Sequence, residues 1–127
     1  MTKVLSILVL TVIMAGSSAP AYARQPMPEK DRELIKTLLD RLKQREDLTF
    51  IRLDKKYDAK AAAWYLKYKW DHNKDKVHSI QDFINLESYG GDHGEVTYYV
   101  EFSDGRKITA KEMLEQSIQD LEREQKQ

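Results

Sequence analysis

The stretch VTYYVEFSDGRKIT, residues 96–109, has the pattern of a β-hairpin closed around an Asp-Gly turn. Apolar and polar residues alternate along its first half, which predicts a strand that is buried on one face only. The buried face carries the even-numbered residues Val96, Tyr98, Val100 and Phe102.

Two strand registers are open for this hairpin. A two-residue loop would place Ile108 opposite Glu101, on the solvent face. A three-residue loop, with Gly105 in the left-handed conformation, would instead pair Glu101 with Lys107. It would also bring Val100 opposite Ile108. Because this register matches charge with charge and apolar with apolar, we predict the bulged hairpin.

Upstream of the hairpin, apolar spacing predicts a helix over residues 29–46 and a short, mostly buried strand over 48–53. The sequence DKKY, 54–57, is expected to turn the chain. Asp58 can then cap a helix that ends near Trp70.

Two capping boxes mark the remaining helices. Ser79 with Asp82 predicts a short helix over 80–87, and Thr109 with Glu112 predicts a last helix that reaches Glu124. The order helix, strand, helix, short helix, hairpin, helix predicts an α+β domain. We expect a three-stranded antiparallel sheet with helices packed on one face.

The N-terminus has the layout of a secretory signal peptide. Lys3 precedes an apolar run, and small residues lead to an Ala-x-Ala site that ends at Ala23. We predict cleavage after Ala23 and a periplasmic location; an uncleaved anchor is the competing interpretation, because residues 4–23 carry no charge. The chain has no cysteine, which excludes both a lipid-attachment site and a disulfide.

The chain is therefore divided into a signal peptide, 1–23, an extended lead-in, 24–28, one domain, 29–124, and a frayed tail, 125–127. Lysine and arginine together number 21, as do aspartate and glutamate. This balance argues against a nucleic-acid partner, whose phosphates require an excess of positive charge. No stable membrane span is expected once the signal is removed.

The helix after Asp58 carries an unusual number of aromatic residues. At 100° per residue, Tyr65, Leu66 and Trp70 share one face and are predicted to be core. Lys69 lies at the boundary of this face, with its ammonium expected to reach water. Trp64 and Tyr68 point away, so they either contact another part of the chain or form a surface for a partner.

Arg52 is the second candidate for binding. Strand alternation places it on the same face as Leu48 and Phe50. A charge there needs a partner such as Glu101 or a carbonyl, and the alternative is an arginine that binds an anion or carboxylate.

Catalytic and metal motifs are weak. No serine lies in a G-x-S-x-G or S-x-x-K pattern, and His72 and His78 do not match a known ligand spacing. Asp92 and His93 in the glycine-rich loop 88–95 are the remaining loop candidates. We expect no metal and no cofactor.

Several short motifs together resemble the YfeK-like family of small exported bacterial proteins of unknown function. They are TFIR, AAAWYLKYK, SIQDFI and YYVEFSDGR, and the matching residues are Phe50, Ile51, Arg52, Tyr57, Ala62, Leu66, Lys69, Phe83, Ile84, Tyr98, Asp104 and Gly105. Leu53-Asp54 stands where the family often has Asn-Gly, and Tyr65 stands where it has histidine. The resemblance implies export and this fold, and it implies no activity.

These observations predict a small periplasmic protein, non-enzymatic, that binds an unknown periplasmic protein or a small ligand. The candidate binding residues are Trp64, Tyr68, Arg52 and Lys69. A periplasmic inhibitor or immunity-type protein, and a minor envelope hydrolase acting through the glycine-rich loop, are the alternatives.

Overall fold

The structure is a computed structural model that describes residues 26–86 and 96–127. The elements in this part of the chain are α1 (Glu29–Leu42), β1 (Leu48–Arg52), β2 (Lys55–Asp58), α2 (Ala59–Asp71), a 3-10 turn (Lys74–Lys76), α3 (Ile80–Asn85), β3 (Tyr98–Phe102), β4 (Lys107–Thr109) and α4 (Ala110–Gln125). The predicted α+β class is confirmed. The predicted signal peptide lies outside the described residues, as does the whole glycine-rich loop, 88–95, with Asp92 and His93.

In the part of the chain that the structure describes, the sheet has four antiparallel strands in the order β2-β1-β3-β4, so the prediction of three strands was wrong. The DKKY segment was expected to be a turn, but Leu53 and Asp54 alone reverse the chain. Leu53 adopts a left-handed φ of 56°, and the chain then returns along β1 with Tyr57 opposite Phe50. Lysine and aspartate have low strand propensity, and lysines are common on edge strands, which is why this strand was hidden in the sequence.

The hairpin between β3 and β4 has the bulged register that its side chains favoured. Val100 lies opposite Ile108, and Glu101 lies opposite Lys107. Gly105 has a φ of +96° and a backbone N–H that donates to the Phe102 carbonyl. Charge pairing and core pairing therefore select the same register.

Helix boundaries follow the capping residues. Asp58, Ser79 and Thr109 each accept a hydrogen bond from the backbone N–H three residues later, as their sequence context predicted. Helix α1 ends at Leu42 and not at residue 46, because residues 43–47 are needed to turn the chain into β1.

The core lies between the helices and one face of the sheet. Phe50 and Val100 on this inner face are buried, whereas Tyr99 on the outer face is exposed. The largest fully buried side chains are Phe83, Leu34, Ile35, Leu114 and Val100. The helices thus cover one side of the sheet, and α2 is the helix that follows its edge strand β2.

No helix in the described residues is long and apolar enough to cross a bilayer.

The two left-handed residues give a paired test of the turns. An added Cβ at Gly105 would meet no atom within 4 Å, so Gly105→Ala should lower the free energy of unfolding by the backbone cost alone, roughly 1 kcal/mol. Leu53→Gly removes the same kind of backbone cost. It should raise the free energy of unfolding by up to about 1 kcal/mol, after the entropy of the added glycine is subtracted. Urea denaturation of both variants measures this, and a loss of stability in Leu53→Gly would contradict the assigned turn.

Candidate functional site: an aromatic face on helix α2 and the groove beside it

Helix α2 buries a narrow stripe. Its buried residues are Ala59, Ala63, Leu66, Lys69 and Trp70. Leu66 and Trp70 are core, as predicted, but Tyr65 is 46% exposed and its assignment to the core was wrong. The stripe is centred on Ala59 and Ala63 and not on Ala62, so Tyr65 lies about 120° from Ala59 around the helix.

The exposed side of α2 carries three aromatic residues, Trp64, Tyr65 and Tyr68, which we call the aromatic face. Trp64 is 63% exposed and Tyr68 is 46% exposed. The rings of Trp64 and Tyr68 stack with centroids 5.5 Å apart, and the Tyr68 ring stacks on His72 at 4.0 Å. Since these residues are four apart on a helix, the stacking needs no other element of the fold. The predicted outward orientation of Trp64 and Tyr68 is what the structure shows.

The ammonium of Lys69 was expected to reach water, but Lys69 is buried. Its Nζ donates a hydrogen bond of 3.1 Å to the carbonyl of Leu86. The same atom lies 4.9 Å from the centre of the Tyr98 ring and 5.4 Å from that of Tyr65. The carbonyl comes from the end of α3, and spacing along α2 alone could not indicate it. Lys69 therefore joins α2 to α3 and to the sheet.

Arg52 lies on the inner face of the sheet, opposite Tyr98. Its guanidinium carbon is 5.8 Å from the centre of the Tyr98 ring. The expected partner Glu101 faces the other side of the sheet, opposite Lys107, and no carboxylate of the described residues forms an ion pair with Arg52. Its Nε is buried and has no hydrogen-bond partner there. A buried donor left in this way typically costs about 1 to 3 kcal/mol, so its persistence calls for an explanation.

A groove of about 500 Å³ opens between the sheet and α2, next to Arg52. Its lining residues are Phe50, Arg52, Tyr57, Asp58, Lys60, Ala61, Ala62, Trp64, Tyr65 and Tyr98. The volume is in the usual range for small-ligand sites, and so is the composition of apolar walls with a few polar groups. Trp64 and Tyr65 belong both to this groove and to the aromatic face. The two features therefore form one continuous surface.

Three of the four candidate binding residues, Arg52, Trp64 and Tyr68, belong to this surface, and the fourth, Lys69, is buried beneath it. Arg52 and Lys69 lie near Tyr98, and Trp64 and Tyr68 stack outside. The sequence did not single out Tyr57 and Tyr98 as site residues. Their alignment with Phe50 and Arg52 becomes visible only once β2 is recognised as a strand.

Within residues 26–86 and 96–127, no three histidine, aspartate or glutamate side chains come together as a metal site would require. Asp58 is the one carboxylate among the described residues of the groove lining, and it accepts a hydrogen bond of 2.8 Å from the Ala61 N–H. This carboxylate is thus engaged in capping α2.

The chain belongs to a family of unknown function, DUF5329, whose model matches residues 29–122. The match supports the expectation that the chain belongs to an uncharacterised family. It does not support the YfeK-like name. No curated protein and no solved structure matches the chain significantly. The family assignment therefore brings no ligand or partner with it.

Lys69 and Lys67, two residues apart on α2, form a matched pair for mutation. Lys69→Ala removes the buried stem and the donor to Leu86, and should lower the free energy of unfolding by about 2 kcal/mol. Lys67 is exposed and pairs with Asp71, so Lys67→Ala should cost less than about 0.5 kcal/mol. Urea denaturation measures both, and equal losses would contradict the buried role of Lys69.

The same Lys67 variant has a second expected effect. The hydrogen bond from Lys67 holds the pKa of Asp71 below its usual range, so Lys67→Ala should raise that pKa towards the ordinary value. A lowered carboxyl pKa contributes stability above the unfolded pKa and loses it as the pH falls through the folded pKa. The small contribution of the Lys67–Asp71 pair to stability should thus disappear under acidic conditions. An NMR titration of Asp71 in both proteins would measure the change in its pKa.

Proposed function

We propose that this protein is an exported, non-enzymatic binding protein of the periplasm. The observation that carries the binding role is the groove beside α2, with aromatic walls and an arginine that no carboxylate of the described residues neutralises. The groove together with the aromatic face would hold a small ligand or a short segment of a partner protein.

A binding role is favoured over catalysis by what the groove offers. Its walls are rings and alanine side chains, and its charged groups in the described part of the chain are Arg52, Lys60 and the capping carboxylate of Asp58. General acid–base chemistry needs a proton donor or acceptor that is free to act on a ligand. An arginine side chain is a fixed positive charge, so Arg52 is better suited to hold a ligand than to transfer a proton.

The periplasmic location is supported by the sequence of residues 1–23, with its basic start, apolar run and Ala-x-Ala end. A closer relation to the YfeK-like proteins is part of the same proposal and rests on the short motifs in residues 49–106. It would agree with export and adds no activity.

Export has a direct test. Intact-mass measurement of the protein from a periplasmic fraction should give a chain that begins at Arg24. The control is Ala21→Leu with Ala23→Leu, which removes the small residues at the cleavage site and should leave the full-length chain attached to the membrane. A full-length wild-type chain in the cytoplasm would contradict export.

Photo-crosslinking tests the binding role. A photoreactive residue at position 64 or 68 should capture a discrete adduct in cells, and one at position 111, exposed on α4, should not. Intact mass then separates a small-molecule adduct from a protein adduct, and a captured lytic enzyme would indicate the inhibitor alternative. Identical adducts at all three positions, or none at any, would contradict a binding role for this surface.

The aromatic face should contribute little to stability. Because Trp64 and Tyr68 are exposed, Trp64→Ala with Tyr68→Ala should lower the free energy of unfolding by no more than about 1 kcal/mol. Thermal and urea denaturation measure it, and Trp70→Ala serves as the buried control with an expected loss of about 3 kcal/mol or more. A similar loss in both variants would show that the aromatic face is part of the core.

A further inference from the structure

We infer that the groove binds a monoanionic carboxylate attached to an apolar body, with Arg52 as the residue that receives the carboxylate. This inference rests on the proposed binding role and adds the chemical class of the ligand. Three features of the groove support it: the state of Arg52, the balance of charges in the lining, and the arrangement of the rings.

Arg52 is placed and held for such contact. Strand β1 fixes its backbone between β2 and β3, and the guanidinium lies over the Tyr98 ring at 5.8 Å. Its buried Nε–H has no acceptor in the described residues. In a bidentate arginine–carboxylate pair, two parallel N–H groups each donate to one carboxylate oxygen, and Nε–H can be one of them. Because Nε is buried, the guanidinium has to turn towards the groove for this contact, and a carboxylate there then supplies the acceptor that Arg52 lacks.

The charges in the lining favour a single negative charge on the ligand. Among the described residues of the lining, Arg52 and Lys60 are positive and Asp58 is negative, which leaves one net positive charge. The ammonium of Lys69 is directed to the Leu86 carbonyl, and Lys69 does not line this groove. A dianionic phosphate carries one negative charge more than this net charge balances, and it would also be repelled by Asp58. A carboxylate matches both the net charge and the planar geometry of one guanidinium.

The rest of the groove fits an apolar body of small-molecule size. Tyr57 and Phe50 form the sheet wall, and Trp64 and Tyr65 form the helix wall. Flat rings pack against one another in offset or edge-to-face arrangements, so a ligand with a ring or a branched apolar group has favourable contacts on both sides. The volume of about 500 Å³ accommodates a ligand of this kind.

Two sources share this chemistry: a free carboxylic acid, and the C-terminal carboxylate of a peptide whose last side chain is apolar. N-acetylphenylalanine and its carboxamide test the free acid, and acetyl-Ala-Ala-Ala-Phe with a free or an amidated C-terminus tests the peptide. Binding is measured by NMR titration of the labelled protein, with the Trp64 indole N–H and the Tyr65 amide as reporters of the groove.

The acid should bind at least about tenfold more tightly than its amide, since a charge-assisted hydrogen bond is worth about 1.5 to 3 kcal/mol. In Arg52→Gln the ratio of the affinity for the acid to that for the amide should fall to near one, while the weaker binding of the amide is retained. Arg52→Lys keeps the charge without the paired donors and should recover only part of the preference. Arg106→Gln is the matched control and should leave the preference unchanged. Arg106 stacks on Phe102, at the end of β3 opposite to Tyr98, and does not line the groove.

Equal binding of acid and amide at the groove would overturn the carboxylate assignment and leave the binding role standing. A preference for the acid that survives in Arg52→Gln would overturn the role of Arg52. If none of the four probes shifts the reporters at millimolar concentration, both this inference and the groove as a ligand site fail. Tighter binding of the free peptide than of the free acid identifies a protein C-terminus as the source, and the reverse identifies a small acid; either supports the inference.

Discussion

The antiparallel pairing of β1 with both of its neighbours is the constraint on which the rest of the structure depends. Phe50 in the middle of β1 lies opposite Tyr57 on one side and Val100 on the other, and it is buried beneath the helices. Side chains alternate along a strand, so burial of Phe50 directs Arg52 to the same face. A one-residue slip in the register of β1 would expose Phe50 and move all the side chains of the strand to the opposite face.

The groove is a consequence of this alternation of side chains along β1. Tyr98 lies opposite Arg52 on β3, and Tyr57 lies beside Phe50 on β2, so one face of the sheet collects rings and a cation at its β2 side. Helix α2 begins directly after β2 and brings Trp64 and Tyr65 across from them. The lining residues that the structure describes thus come from strands β1 to β3 and from helix α2.

Helix α2 has two functions in the fold, and its residues divide between them. Ala59, Ala63, Leu66 and Trp70 bind the helix to the core, and Lys69 ties it to the carbonyl of Leu86. The residues between them are free to face the groove or the solvent. The proposed interaction surface therefore lies on a helix whose position is fixed from its other side, so a ligand would bind at a low cost of ordering the helix.

The sequence by itself determined the α+β class, the bulged register of the β3–β4 hairpin, the three capping residues and the outward direction of Trp64 and Tyr68. These features depend on residues close together in the chain, whose spacing or pairing has one favourable solution. Only the tertiary structure decided that Lys55–Asp58 is a strand, because its polar residues gain strand structure from pairing with β1 and not from propensity. It also decided that Tyr65 is exposed, that Lys69 is buried and that Arg52 has no ion pair among the described residues. Each of these three features depends on which distant part of the chain packs against the residue. Periodicity within one helix or strand carries no information about such long-range contacts.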